Sequence, residues 1–232
     1  MNDADQLMTD HVDSMYVHDA EGHLRFVNDG GRDPAPRFWL GRTEAGPTYR
    51  FGSNLPPPLI ERLTMMCGQE RASPTLGRWP ARWSEYVARL QEHAPVQRTW
   101  AGPTYVCPTA MGLRGEAVRI SAANRELLSG SLEGWRADVD DGCPLLAVVV
   151  DGRAVSVCAS VRISRRAEAA GVETVPEHRR QGHAAAVVAA WAADVRSRGS
   201  VPMYSTSWDN HASQAVARSL GLRCFGVECH IT

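Results

Sequence analysis

The stretch from Val172 to Ala184, VETVPEHRRQGHA, constrains the fold more than any other part of the chain, because it joins a strand pattern to a helix pattern across a proline. Glu168 to Val175 alternates small and β-branched residues. Pro176 has no N–H for a sheet ladder and holds the residue before it extended, so a strand is expected to end at Val175. Arg179 to Ala184 then reads R-x-x-G-x-A and runs into AAAVVAAWAADVRSRG, where Val187, Val188, Trp191 and Val195 recur at helical spacing and Gly199 stands where the helix closes. A strand, a glycine turn and a helix start in direct succession gather unpaired main-chain N–H groups, the positive end of the helix dipole and the guanidinium groups of Arg179 and Arg180. That combination suits a phosphate group. Gly182 lets a ligand approach the backbone and Ala184 keeps the first helical turn small. The chain holds no G-x-x-x-x-G-K-[ST] and no G-x-G-x-x-G, which excludes a Walker loop and a dinucleotide fingerprint.

R-x-x-G-x-A between a strand and an Ala-rich helix resembles the pyrophosphate loop of the GNAT superfamily of acyl-CoA N-acyltransferases. A second patch, SWDNHASQAVARSLGL from Ser207 to Leu222, resembles that family's N-x-x-A-x-x-L-Y-x-x-L-G-F segment, with Asn210 at the asparagine and Leu220-Gly221-Leu222 at the ending. The two patches lie about 30 residues apart in the right order. The resemblance covers roughly Ala117 to Thr232 and implies a GNAT-like domain at 113–232 with a mixed sheet flanked by helices; the N-terminal half lies outside it and reads as a smaller α+β module at 1–112, expected to shape the acceptor side, which makes the chain α/β (α+β).

Composition narrows the partners. Net charge is −1 and no basic block of five occurs, which points away from nucleic-acid and membrane-surface binding and toward a small ligand. All 25 basic residues are arginine, so self-acetylation on lysine is impossible. The cysteines at 67, 107, 143, 158, 224 and 229 form no CxxC and no Cys/His quartet at zinc spacing; they read as reduced core thiols, with no metal site. The acidic start lacks an apolar signal region and no apolar run reaches the ~18 residues of a membrane span, so a cytoplasmic protein, monomer or homodimer, is expected.

Along the chain, residues 11 to 28 read as two short strands around Asp19-Ala20-Glu21-Gly22, and Phe38 to Phe51 as a hairpin around Glu44-Ala45-Gly46. A short helix follows Pro56-Pro57-Pro58, a second carries Trp83, Tyr86, Val87 and Leu90, and Arg98 to Val106 reads as a strand. A join is expected between Pro108 and Gly115. Beyond it come the strand AVRIS, a helix capped by Ser121 that runs toward Trp135 with a break at Gly130, and two apolar strands joined at Asp151-Gly152. The VETVP strand, the Ala-rich helix, the strand VPMYSTS and the helix ASQAVARSL complete the order.

The resemblance implies acetyl transfer from acetyl-CoA to a primary amine of a small molecule or peptide, directly, in a ternary complex. Such transfer needs a base for the amine, N–H donors for the thioester oxygen and a leaving thiolate. Glu173 and Glu168 lie on the strand that ends at the loop; five positions apart, they face opposite sides, and Glu173, nearer the break, is preferred. A solvated or salt-bridged glutamate is the plain alternative for each. Thr174 and Val175 match the strand segment that pairs with pantetheine through main chain. Gln181, Gly182, His183 and Ala184, with Arg179 and Arg180, match the pyrophosphate loop, while Asn210 and Ser213 fall in the second patch. His178 and His183 as metal ligands are the weaker reading, since i and i+5 share no helix face. Ala217 stands where many family members carry the tyrosine that protonates the thiolate; Tyr204 is a candidate substitute, along with Ser205 and Ser207. The alternative is an acyl-CoA-binding sensor or structural module without turnover.

Overall fold

A computed structural model describes residues 3–72, 76–77, 79–112, 115–139 and 143–232. The expected join between Pro108 and Gly115, and the boundary at 112/113, fall in part on residues outside this set.

The chain opens with helix α1 (Asp3–Met15), followed by a hairpin of β1 (Tyr16–His18) and β2 (Leu24–Val27). The hairpin meets the expectation from Tyr16 onward, whereas residues 11 to 15 are helical rather than extended. The helical stripe includes Leu7, Met8 and Val12 but also the buried Asp10, His11 and Ser14, and these polar members hide the apolar period. Strands β3 (Phe38–Arg42) and β4 (Pro47–Phe51) form the expected hairpin. Its turn is held by Thr43, whose hydroxyl oxygen accepts from the Ala45 and Gly46 N–H groups. Helix α2 (Pro57–Cys67) begins on a proline that gives up no needed N–H, α3 (Trp83–His93) follows, and β5 (Thr99–Val106) is the predicted strand.

In the second half, β6 (Val118–Arg119) is short, and the predicted helix toward Trp135 is instead two 3-10 segments, Arg125–Leu127 and Gly130–Asp138. Gly130 adopts φ +61°, which stops any α-helix there, and Ser121 takes part in a tight turn in which its N–H donates to Asn124 Oδ1 at 2.7 Å. Strands β7 (Leu145–Val150) and β8 (Arg153–Ile163) join through Asp151 and Gly152 at φ +48° and +75°, the left-handed pair that a two-residue hairpin requires. Then come β9 (Ala167–Thr174), α4 (His183–Ser197), β10 (Val201–Ser205), α5 (His211–Ser219) and β11 (Arg223–Ile231). No helix among the described residues is long and apolar enough to cross a membrane.

Two compact units emerge. The first comprises 1–105, 205–211 and 224–232, so the last strand returns to the N-terminal part of the chain. Its strands run β4-β3-β11-β5, with β3 antiparallel to both β4 and β11. Phe38, Leu40, Cys229 and Ile231 build one face with Leu63, Tyr86 and Leu90 from α2 and α3. On the other face Met8 presses on Gly41 and Gly226, where an added Cβ would collide with its side chain.

The second unit comprises 106–204 and 212–223. Its strands run β10-β9-β8-β7-β6, antiparallel except for the parallel pair β9 and β10, which gives an α/β arrangement with a mixed sheet flanked by helices. Helix α4 packs with Val187, Val188, Trp191 and Val195 fully buried, and Trp191 Nε1 donates to Ser160 Oγ at 2.9 Å. The 3-10 segments bring Leu128 and Leu132 onto a second core with Ile120, Leu145, Ala147, Val157 and Ala159.

Candidate active site

The site is organised by the point where two strands part. Ladder pairs between β9 and β10 run from Ala167–Val201 to Ala169–Met203, while β9 continues to Thr174 in register with β8 alone. An antiparallel strand bonds to its neighbour through every second residue. Val175 N–H donates to Val155 O at 2.9 Å, which fixes the phase: Gly171 and Glu173 bond toward β8, and Val172 and Thr174 present their N–H and C=O groups on the opposite edge. On that edge Arg179 Nε donates to Thr174 O at 3.3 Å, so an added strand would meet the free groups of Val172 and displace Arg179 at Thr174. Val175 donates to β8, so Val172 and Thr174, rather than Thr174 and Val175, have the main-chain groups on the free edge. Sequence periodicity cannot reveal this, because it says which face a side chain takes and nothing about which edge a carbonyl takes.

β9 ends at a short 3-10 turn, Pro176–His178, and the chain then reaches α4 through the R-x-x-G-x-A loop. Arg180 at φ +62° and Gly182 at φ +87° are both left-handed, and Gly182 is the residue before the first helical position. Ala186 N–H makes the first helical bond, to Gly182 O at 3.0 Å; the N–H groups of His183, Ala184 and Ala185 precede it and have no helical acceptor. An added Cβ at Gly182 meets nothing within 4 Å, so its conformation rather than crowding demands glycine. Arg179 Nε donates to Thr174 O at 3.3 Å, drawing the loop back over the strand end, and Gln181 Nε2 donates to Glu177 O at 3.3 Å. Arg179, Arg180 and Gln181 are exposed. His183 lies with its ring centroid 6.1 Å from that of His178. No group of three or more His, Cys, Asp or Glu among the described residues could hold a metal ion.

The two candidate bases sit on opposite faces of β9 in different surroundings. Glu168 is 2% exposed, donates nothing and accepts from Arg198 Nη2 at 2.7 Å and from the Ser160 hydroxyl, in the layer under α4. Glu173 is half-buried on the face covered by the 3-10 segments, where its Oε2 accepts from Trp135 Nε1 at 2.7 Å. Its Oε1 has no protein partner among the described residues. Two residues on, and so on the same face, Val175 lines a cleft of about 760 Å³ together with Ser129, Ser131, Asp151, Arg153 and His178. Tyr204 is 4% exposed and its hydroxyl lies 2.6 Å from that of Ser213, so these two predicted residues are brought together. Asn210 directly precedes α5, with its N–H on Ser207 O at 3.1 Å, and belongs to the other compact unit. Ala217 is fully buried. Trp135 is the residue that sequence reasoning missed here; its indole gives no signal of partnership with a glutamate 38 positions away.

A mixed sheet whose parallel pair parts beside the start of α4, flanked by helices, matches the folds of GNAT-like acyl-CoA N-acyltransferases. Residues 146–226 match the family model for GNAT acetyltransferases. The fold is similar to that of a GNAT-family acetyltransferase from Colwellia psychrerythraea (14% identity, 79% of this chain and 75% of that one, TM-score 0.51). It is also similar to a Drosophila protein (14% identity, 98% of this chain and 85% of that one, TM-score 0.50). A GNAT-family protein from Novosphingobium aromaticivorans matches at 16% identity over 88% of this chain and 90% of that one, with a TM-score of 0.49. No curated protein matches the chain in sequence.

Proposed function

We propose that the protein is an N-acetyltransferase that moves an acetyl group from acetyl-CoA to a primary amine of a small molecule or peptide by direct attack in a ternary complex. The observation that carries this reading is the free edge of β9, which runs past its last β10 pair at Ala169 and ends at an anion-binding helix start. Pantetheine amides add to the main chain of Val172 and Thr174 as a strand would, and the pyrophosphate takes the N–H groups of Gln181 to Ala184 under the charges of Arg179 and Arg180.

Glu173 takes a proton from the amine, directly or through a water. The neutral amine nitrogen then attacks the thioester carbonyl, the adduct nitrogen gives up its second proton to water, the C–S bond breaks, and the sulfur leaves with the bond's electron pair. A thiol of pKa about 8.5 can leave as thiolate near neutral pH, so Ala217 in place of a tyrosine is compatible with turnover. The Tyr204–Ser213 hydroxyl pair is available to return a proton to the sulfur. Glu168, tied to Arg198 and Ser160, is left as a structural carboxylate. Burial pushes the thiols of Cys67 and Cys107 up to about 12 and those of Cys158 and Cys229 above their usual range, which favours direct transfer over a cysteine intermediate. The acceptor-shaping role of 1–112 belongs to the same proposal.

Calorimetric titration with acetyl-CoA, beside desulfo-CoA and the variant Gly182→Glu, tests the donor site without any assumption about the acceptor. Micromolar binding that the variant loses supports it; no binding by folded protein removes it. The buried Ala217 keeps a second reading in view, an acyl-CoA-binding module without turnover. Binding of acetyl-CoA with no thiol release across a panel of amines would favour that one.

A further inference from the structure

Trp135 is seated on β9 by an absence. An added Cβ at Gly171 would collide with Val161 Cγ1 and lie 3.1 Å from Trp135 Cη2, so the missing side chain makes room first for Val161 and also lets the indole lie close over the strand. Gly171 and Glu173 share a face of β9, and the indole resting at 171 brings its Nε1 within 2.7 Å of Glu173 Oε2. The 3-10 segment that carries Trp135 is fixed independently: Leu132, three residues earlier, is fully buried in the core with Leu128 and Val157, and Trp135 packs against the same core. The neighbouring charges on the segment, Arg136 and Glu133, satisfy each other at 2.9 Å.

This arrangement holds one carboxylate oxygen and leaves the other. A free glutamate samples several rotamers and turns its carboxylate about the last bond, so only part of its population faces a given amine. An indole N–H is a donor only and cannot compete for the amine's proton. We propose that Trp135 is a positioning residue for the acyl-transfer step: it fixes Glu173 through Oε2 and so directs Oε1 at the acceptor amine, with Gly171 as its berth. The inference rests on the reading of Glu173 as the base.

Trp135→Phe keeps the ring and its packing and removes the N–H; Trp135→His keeps a ring N–H. Coenzyme A thiol release is followed with acetyl-CoA and spermidine, phenylalanine amide or an alanine-terminated peptide as acceptor, beside Glu173→Gln, with folding checked by thermal melts. The expected result is a fall in kcat of about tenfold or more for Trp135→Phe, with the KM for acetyl-CoA unchanged and partial recovery in Trp135→His. Slow Glu173→Gln with Trp135→Phe at the wild-type rate overturns the inference and leaves the base in place. Wild-type rates in both overturn the base, and the inference falls with it. The indole N–H resonances give a readout that needs no acceptor: the cross-peak missing from Trp135→Phe is expected to move in Glu173→Gln. If it stays where it is, the partnership is refuted even when none of the three amines reacts.

Discussion

Each compact unit contains a glutamate that accepts from a tryptophan Nε1, and the two pairs are built for different ends. In the first unit Glu228 is 2% exposed and both its oxygens are engaged, Oε2 by Trp39 Nε1 at 2.6 Å and Oε1 by His11 Nε2 at 2.9 Å. Burial acts to raise its carboxyl pKa, but the adjacent His11, with help from His230 and the Trp39 N–H, outweighs burial and holds it below the usual carboxylate range. In the second unit Glu173 is half-buried and one donor engages one oxygen. A saturated buried carboxylate has nothing left to offer a ligand and serves to tie α1 to β11. A carboxylate held at one oxygen is ordered and still reactive. The contrast is one of saturation: two donors hold both oxygens of Glu228, and one donor holds a single oxygen of Glu173.

The strongest test of that contrast is truncation of the saturated member. Glu228→Ala leaves the Trp39 and His11 nitrogens buried without their acceptor and is expected to cost about 3–5 kcal/mol, read from urea unfolding of the first unit. A loss under about 1 kcal/mol would break the comparison. Glu173→Gln is expected to do the reverse: turnover falls about a hundredfold or more, stability stays within about 0.5 kcal/mol, and acetyl-CoA affinity is unchanged. Acid unfolding sharpens the distinction. Burial lowers the pKa of His230 and of His18, so the unfolded chain takes up protons first and stability begins to fall as the pH drops below about 6.5. Glu228, with its folded pKa lowered, contributes stability that is complete above about pH 4.3 and is lost as the pH falls below that toward its folded value. Glu228→Gln should shrink the lower step, to which Asp19 and Glu85 also contribute, and keep the upper one. The smallest effect is expected at the loop. Gly182→Ala forces a side chain to φ +87°, costing about 1–2 kcal/mol, and weakens acetyl-CoA binding by displacing the N–H groups around it. Unchanged affinity in this variant would separate the loop from the donor site.

Much of the second unit was legible in the chain. The Asp151-Gly152 hairpin, the strand ending at Pro176, the R-x-x-G-x-A loop and the buried stripe of α4 follow from local rules of turn chemistry, proline and helical period, and the structure has each of them. The α1 helix and the 3-10 segments were not legible. α1 buries Asp10 and Ser14 on partners within the helix and His11 on Glu228, over 200 positions later, so its polar members mask the apolar period; the 3-10 segments stand where a single α-helix broken at Gly130 was expected, because Gly130 at φ +61° stops an α-helix there.

For the site the division is the same. Sequence by itself determined the family resemblance, the place of the glycine turn before α4 and the two glutamates to choose between, because these depend on residue type and short spacing. Tertiary structure decided the edge of β9 that stays open, the engagement of Glu168 by Arg198 and the seat of Trp135 over Gly171. Each of those depends on a partner brought from elsewhere in the chain, and no pattern along one strand records which neighbour it will meet or where that neighbour turns away.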